Sequence, residues 1–357
     1  MLFKVEPSNS ESFHETEELE RHAVEYTDCS KRFYQVSRDF SKQYAHIYSA
    51  RLNTFRNILS PIVQMKWSNK YKVLKLCELR DKGTLCVIIG TLFKLQQLKP
   101  SILKELSDEL EIVPQPARFV KDHRSNFIIV LEDELQRIKL SGDCINIDEV
   151  VTGVVVAILG GVFMNHSNAS TLNESDVIAS ADTVDAFCAA VSTVAPLDLM
   201  PGCKDPTGIM LPQKPFHYCL FPKSIEYKSF NRVSNPYECD IGLPFLGTSG
   251  EPVIDIMRYS KINSPLEVLK KTLQWRHMAP TCPDTVPCTP CIDTDPFTIY
   301  NCPAVYFSGN CEEFATDLFK GQDGQLVRLV CVPDFCDKKT AAFVNLSNLE
   351  CYSMTFT

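Results

Sequence analysis

Cys282, Cys288 and Cys291 form C-x5-C-x2-C toward the C-terminal end of the chain, and Cys302 follows. A structural zinc ion takes four converging ligands arranged in tight pairs. Only one pair here has that spacing, and Pro280, Pro283, Pro287 and Pro290 run through it, so a rigid loop with incidental thiols is the favoured reading. The seven histidines, His14, His22, His46, His123, His166, His217 and His277, form neither H-x-H nor H-E-x-x-H. A two-metal hydrolase needs several carboxylates and histidines on strand-end loops, because each metal needs its own ligands. Asp205 and His217 are the one such pair near a suitable loop, and Asp205 precedes Pro206, where a turn-forming aspartate is favoured. Gly247-Thr248-Ser249-Gly250 offers a small backbone nest for an anion, yet no Lys follows in a P-loop frame, and a strand-end turn is favoured. No catalytic residue, metal ligand or cofactor is expected from these residues.

The loop that would carry such chemistry closes Val194–Pro206, V-A-P-L-D-L-M-P-G-C-K-D-P. An apolar run breaks there into a Pro-Gly turn, as in a strand feeding a loop at the carboxyl end of an open α/β sheet, where ligands usually sit. Val177, Ala181, Val184, Cys188 and Val191 predict the helix that leads into it. Beyond it, Val233–Gly250 reads as a hairpin, and Ser264-Pro265-Leu266-Glu267 as a capping box opening a helix that Pro280 stops. Ala304–Ser308, Leu326–Pro333 and Ala341–Phe356 read as strands. Residues 1–36 are polar and acidic and read as a mobile tail. Asp39–Ser60 repeats apolar residues at helical steps, with Ser60-Pro61 as its end. Leu85–Leu92, Asn126–Leu131, Leu135–Leu140 and Val150–Leu159 read as short strands, with a helix opened by Pro100-Ser101 between them. This order suggests a small Greek-key barrel such as an OB-fold, and a short sandwich would read the same way.

With 357 residues, 45% hydrophobic and 22% charged, the chain has room for two domains and a sizeable core. A net charge of -8, with no basic stripe interleaved with aromatics, argues against direct binding of nucleic acid. The longest apolar run, Val150–Met164, is broken by Thr152 and glycines and falls short of a membrane span. The N-terminus lacks a basic start and an apolar core, so the 16 cysteines read as reduced thiols of a cytosolic or nuclear protein.

Several long runs, in order, resemble the B-subunit family shared by the replicative DNA polymerases alpha, delta and epsilon, and within it the delta members. They are S-R-D-F-S-K-Q-Y-A-H-I-Y (Ser37–Tyr48), K-P-S-I-L-K-E-L-S (Lys99–Ser107), V-L-E-D-E-L-Q-R-I-K-L-S-G (Val130–Gly142), M-P-G-C-K-D-P-T (Met200–Thr207), L-P-Q-K-P-F-H (Leu211–His217), F-L-G-T-S-G (Phe245–Gly250), D-T-D-P-F (Asp293–Phe297) and V-Y-F-S-G-N (Val305–Asn310). The resemblance covers nearly everything after Ser37. It implies an α+β or α/β architecture, a partial OB-fold (37–160) followed by an incomplete calcineurin-like, metallo-phosphoesterase-like domain (161–357). It also implies that catalysis is lost. Active phosphoesterases carry G-N-H-D or G-N-H-E where this chain has Pro201-Gly202-Cys203-Lys204-Asp205, and G-H-x-H where it has Gly309-Asn310-Cys311-Glu312. Family members are longer between the V-T-G strand (Val151–Gly153) and the helix before M-P-G. Here that passage shrinks to Ala157–Ser175, which implies an internal deletion taking strands from both domains and leaving unpaired edges.

The implied function is a nuclear, non-catalytic accessory subunit of polymerase delta in replication and repair. It would join the C-terminal metal-binding module of the catalytic subunit to a further small subunit, touch DNA only through partners, and involve no membrane. Two alternatives stay open: a metal-dependent phosphodiesterase using Asp205 and His217, and a truncated product without function.

Overall fold

The computed structural model describes residues 24–34, 43–68, 70–79, 85–95, 128–140, 145–146, 148–160, 181–203, 205, 207–291 and 293–356. The expected helix at Pro100-Ser101 and the passage 161–180 lie outside them. The first strand, β1 (Tyr26–Asp28), precedes α1 (Ala45–Lys66), and five strands follow: β2 (Val73–Leu74), β3 (Cys86–Leu95), β4 (Ile128–Glu132), β5 (Arg137–Lys139) and β6 (Val155–Gly160).

β3 is the spine of this half. Its run C-V-I-I-G-T-L-F-K-L is buried at every position but Phe93, as befits a strand covered on both faces. One edge pairs antiparallel with β6 over Cys86–Thr91, while on the other edge β2, paired at Val87 and Ile88, gives way to β4, antiparallel from Thr91 to Leu95. The handover falls beside Gly90, where an added Cβ would lie 2.8 Å from the Glu132 carbonyl oxygen, so only glycine lets β4 come this close. β2 adds in parallel and β5 pairs antiparallel with β4. Ile88 and Leu92 face Leu76, Ile129 and Leu131 on the concave side. Ile89 and Val155 face Leu52 and Phe55 of α1 on the other. The product is a half-barrel, which agrees with the expected partial OB-fold.

The second half contains α2 (Ala181–Ser192), β7 (Leu197–Leu199), β8 (Phe230–Arg232), β9 (Tyr237–Ile241), β10 (Pro244–Thr248), α3 (Glu251–Tyr259), α4 (Pro265–Trp275), β11 (Val305–Cys311), β12 (Ala315–Lys320), β13 (Leu326–Pro333), α5 (Phe335–Lys338), β14 (Thr340–Val344) and β15 (Cys351–Thr355). A six-stranded sheet has the order β1-β9-β10-β11-β13-β12, with β10, β11 and β13 parallel. α3 and α4 pack together, and α4 lies on β11 and β13. β7 and β8 form a separate two-stranded parallel sheet on which α2 sits, and β14–β15 is a hairpin. The main core runs through both halves: Phe33, Ile47, Val151 and Val154 join Ile256, Leu269, Phe297 and Tyr306 in one cluster.

Four expectations need correction. Within the tail expected over 1–36, residues 24–34 are folded. β1 extends the large sheet on β9, Phe33 is buried in the core, and Arg32 bonds Glu238 at 2.8 Å and the carbonyls of Pro296 and Thr298. Pro61 does not end α1. The helix starts later, at Ala45, and runs on to Lys66, because Val63 beyond the proline is buried and holds the last turn in place. At α4, Pro265 opens the helix, but Ser264 makes no side-chain cap. The same helix ends at Trp275 rather than near Pro280, with Arg276 in the left-handed conformation at φ 53°.

Candidate functional site

β10 and β11 end side by side, and the loop after β7 meets them there. Gly250 follows β10 with φ 119°, and a Cβ on it would lie 2.3 Å from the Gly309 carbonyl oxygen, so the two strand ends touch backbone to backbone. Asn310 donates through Nδ2 to the Ser249 carbonyl at 2.8 Å. Gly202 lies against the same pair, with room for a Cβ 3.5 Å from Asn310 Nδ2.

The space where strand-end ligands would converge holds a chain of neutral polar groups. Asn235, fully buried, donates to Gln213 Oε1 at 2.6 Å and Ser249 Oγ at 2.7 Å, and accepts from the Ser249 amide at 3.1 Å. Ser249 donates its hydroxyl proton to Glu251 Oε2 at 2.6 Å. Gln213 donates to the carbonyls of Gly202 and Gly208 at 3.1 and 3.2 Å. Amides and hydroxyls engaged with one another lock three loops together. The Glu251 carboxylate ends the chain, accepting also from Asn235 Nδ2 at 3.4 Å.

Asp205 and His217 each serve a separate turn. Asp205 is exposed, and its Oδ2 accepts the Gly202 amide at 2.7 Å. Desolvation by the surrounding loops, aided by the charge of Glu251 and opposed by the Gly202 amide, raises its pKa. His217, also exposed, accepts the Cys219 amide on Nδ1 at 3.4 Å and caps the short turn Tyr218–Leu220. Of the thiols, Cys282, Cys288 and Cys291 are buried and Cys302 is exposed. Burial, then contact with Cys288, pushes Cys282 well up. Among the described residues no group of three or more His, Cys, Asp or Glu is placed to hold a metal ion.

A charged cluster that sequence reasoning missed lies between the two halves. Arg51 of α1 is completely buried. Its Nε bonds Asp295 Oδ2 at 2.6 Å, Nη1 donates to the carbonyls of Pro280 and Gly153 at 2.8 and 3.3 Å, and Nη2 to that of Cys282 at 2.8 Å. Asp295 Oδ2 also takes His277 Nε2 at 2.9 Å, and Oδ1 takes the Phe297 amide at 2.9 Å. Burial and the Arg51 charge push His277 down to about 4, so the ring is neutral and carries its proton on Nε2. Burial alone would raise Asp295, but Arg51 and His277 outweigh it and hold the carboxyl well below its usual range. Arg51 thus ties α1 and the Gly153 turn of the half-barrel to the Met278–Phe297 segment of the layered half. Asp295 sits in the D-T-D-P-F run, and that run was the one available signal. Nothing in spacing links it to a partner 244 residues away.

Residues 43–168 match the family model described as DNA polymerase delta subunit OB-fold domain, and residues 122–316 match the model for the B subunit of DNA polymerase alpha/epsilon. The chain is 34% identical to DNA polymerase delta subunit 2 of Drosophila melanogaster, over 94% of this chain and 98% of that protein. It is 32% identical to the DNA polymerase delta small subunit of Arabidopsis thaliana, over 98% of each. The first of these alignments runs over 423 positions and the second over 445, against the 357 residues present here, so these relatives hold residues without a counterpart in this chain. The half-barrel, the match of its residues to the delta OB-fold model and the end-to-end likeness to these small subunits agree, and the chain belongs to the DNA polymerase delta small-subunit family.

Proposed function

We propose that the chain is a non-catalytic accessory subunit of DNA polymerase delta. It would act as a nuclear scaffold that binds the C-terminal metal-binding module of the catalytic subunit, carries a further small subunit, and reaches DNA only through them. The observation that carries this reading is the likeness to polymerase delta small subunits over nearly the whole of both chains. The strand-end network supports the non-catalytic part. Gln213, Asn235 and Ser249 fill the place of ligands with neutral side chains that bond one another. We take the layered half to be a phosphoesterase-like domain that has lost its metal-binding histidines, with Cys203 and Cys311 standing in the two motifs.

The test is co-purification of the tagged chain with the polymerase catalytic subunit in moderate salt. Retention through a gel-filtration step is the expected result. Separation, under conditions in which a longer family member stays bound, would sink the proposal for this chain. The phosphodiesterase alternative demands manganese-dependent cleavage of a nitrophenyl phosphodiester that Asp205→Ala abolishes, and no turnover above buffer is expected. A chain without a stable fold would melt without a cooperative transition. The continuous core through both halves supports a single cooperative one.

A further inference from the structure

β11 carries one residue more than its partner where it ends. Ser308 pairs with Cys331 of β13, and Cys311 pairs with Pro333, so three steps on one strand match two on the other. The extra residue makes a β-bulge, with Asn310 in the left-handed conformation at φ 49°. Residues three apart on a regular strand point to opposite faces. The bulge returns Cys311 to the face that Ser308 and Cys331 share. Its Sγ lies 3.7 Å from Ser308 Oγ, the side chain opposite Cys331, and meets the Cys331 thiol itself. Both cysteines belong to the main core. Cys331 is fully buried, whereas Cys311 is 7% exposed and is followed by the exposed Glu312 and Glu313.

We propose that Cys311 and Cys331 form a peroxide-oxidised dithiol, a modification site that closes reversibly into a disulfide across the end of β11. Contact with Cys331 pulls the Cys311 thiol down against burial, helped by the Ser308 hydroxyl and the Val332 amide. The same contact, together with burial, pushes Cys331 far up. One sulfur is thus the nucleophile and the other the resolving thiol. The Cys311 thiolate attacks one oxygen of hydrogen peroxide and breaks the O–O bond. Cys311 becomes a sulfenic acid, and the departing hydroxide takes up the proton that the thiol gave away. The Cys331 thiol then attacks the sulfenic sulfur. The S–S bond forms, and the sulfenic hydroxyl leaves with the Cys331 proton as a second water. Two thiols are oxidised and one peroxide is reduced to two waters. In a reducing compartment such a bond is transient, because exchange with glutathione or thioredoxin reopens it. Cys282 and Cys288 also touch, but neither has any exposed surface through which an oxidant could arrive.

The test treats the folded full chain with hydrogen peroxide, quenches with catalase, alkylates the remaining thiols in denaturant and maps the peptides by mass spectrometry. Combined tryptic and chymotryptic cleavage at Phe307, Phe314, Arg328 and Phe335 leaves each of the two cysteines on a peptide with no other thiol. The expected result is a cross-linked pair of these peptides that dithiothreitol separates. Cys331→Ala removes the resolving thiol, so Cys311 should stop at the sulfenic acid and its labelling by dimedone should rise at least tenfold. Recovery of both peptides fully alkylated after peroxide treatment overturns the proposal, and this readout on the parent chain needs no variant to fold. A bond from Cys311 to any other cysteine also overturns it. So does an unchanged dimedone signal in a Cys331→Ala chain that keeps the parent's circular dichroism.

Discussion

His277 and Lys94 are buried titratable groups whose protons are linked to folding in opposite pH ranges. His277 stays neutral in the fold down to about 4, against 6.5 for a free ring, because burial and then Arg51 disfavour its charged form. Between those values the unfolded chain binds a proton that the folded chain refuses, so stability falls as pH drops from 6.5 toward 4. The loss is at most about 3 kcal/mol. Urea midpoints at successive pH values should show it, and His277→Gln should flatten the slope. An equal slope in the variant would mean that other groups carry the acid sensitivity. Lys94 of β3 is buried and donates to the carbonyls of Val150 at 3.2 Å and Tyr259 at 3.1 Å. Burial lowers it to about 8, with Asp148 opposing and Lys261 adding to the effect. Above pH 8 the folded chain sheds a proton that the unfolded chain keeps until about 10.5, so stability rises across that interval, again by at most about 3 kcal/mol. Lys94→Met should abolish the rise in denaturation midpoints between pH 8 and 10. At this scale the sequence was legible where a residue serves its own neighbourhood. Asp205 holds its turn, and the Cys282–Cys291 thiols lie in a proline-bound loop. Arg51, His277 and Asp295 were illegible, because their chemistry exists only once chain segments far apart are packed together.

Apolar periodicity reveals the elements that bury a face and misses those that do not. β3, β13 and α2 stand close to where their patterns put them. β1 reads as tail because Tyr-Thr-Asp has no apolar alternation, and what holds it is the main chain of β9. The strap of residues 24–34 is therefore a structural part despite its composition. Removing residues 1–36 should lower stability in denaturant by several kcal/mol, since truncating a buried phenylalanine such as Phe33 alone costs about 3–5 kcal/mol. Phe33→Ala in the full chain should reproduce much of that loss. A truncated chain as stable as the whole would show that the strap is dispensable. Pro61 teaches the reverse lesson. A local breaker is overridden because tertiary contacts at Val63 outweigh one missing helical hydrogen bond.

The contact between the two halves is built from backbone as well as side chains, and one cooperative transition is the expected consequence. Gly153, with φ 94°, presses against the Met278–Cys282 loop so closely that a Cβ would fall 1.7 Å from the Pro280 carbonyl oxygen. No rotamer relieves that clash, so Gly153→Ala must part the halves locally and strand the Arg51 guanidinium between them. Leaving such a charge without its partners costs about 3–5 kcal/mol. Calorimetry should then show two transitions where the parent chain gives one. A single transition at the original temperature would mean that the interface yields without cost. The half-barrel was legible from its strand pattern, and the resemblance implied a layered second half. Their mutual fit was not legible, since Gly153 and Pro280 each look like ordinary loop residues.

The strap also sets an order of events during synthesis. Tyr26 lies 211 residues before Tyr237, the β9 residue whose hydroxyl it meets. At translation speeds of about 5–20 residues per second, β1 leaves the ribosome roughly 10–40 s before its partner strand exists. Phe33 must spend that interval outside the core it will enter. The earliest described strand must thus wait for a partner from the second half of the chain, and a nascent chain stalled before β9 has nowhere to put it.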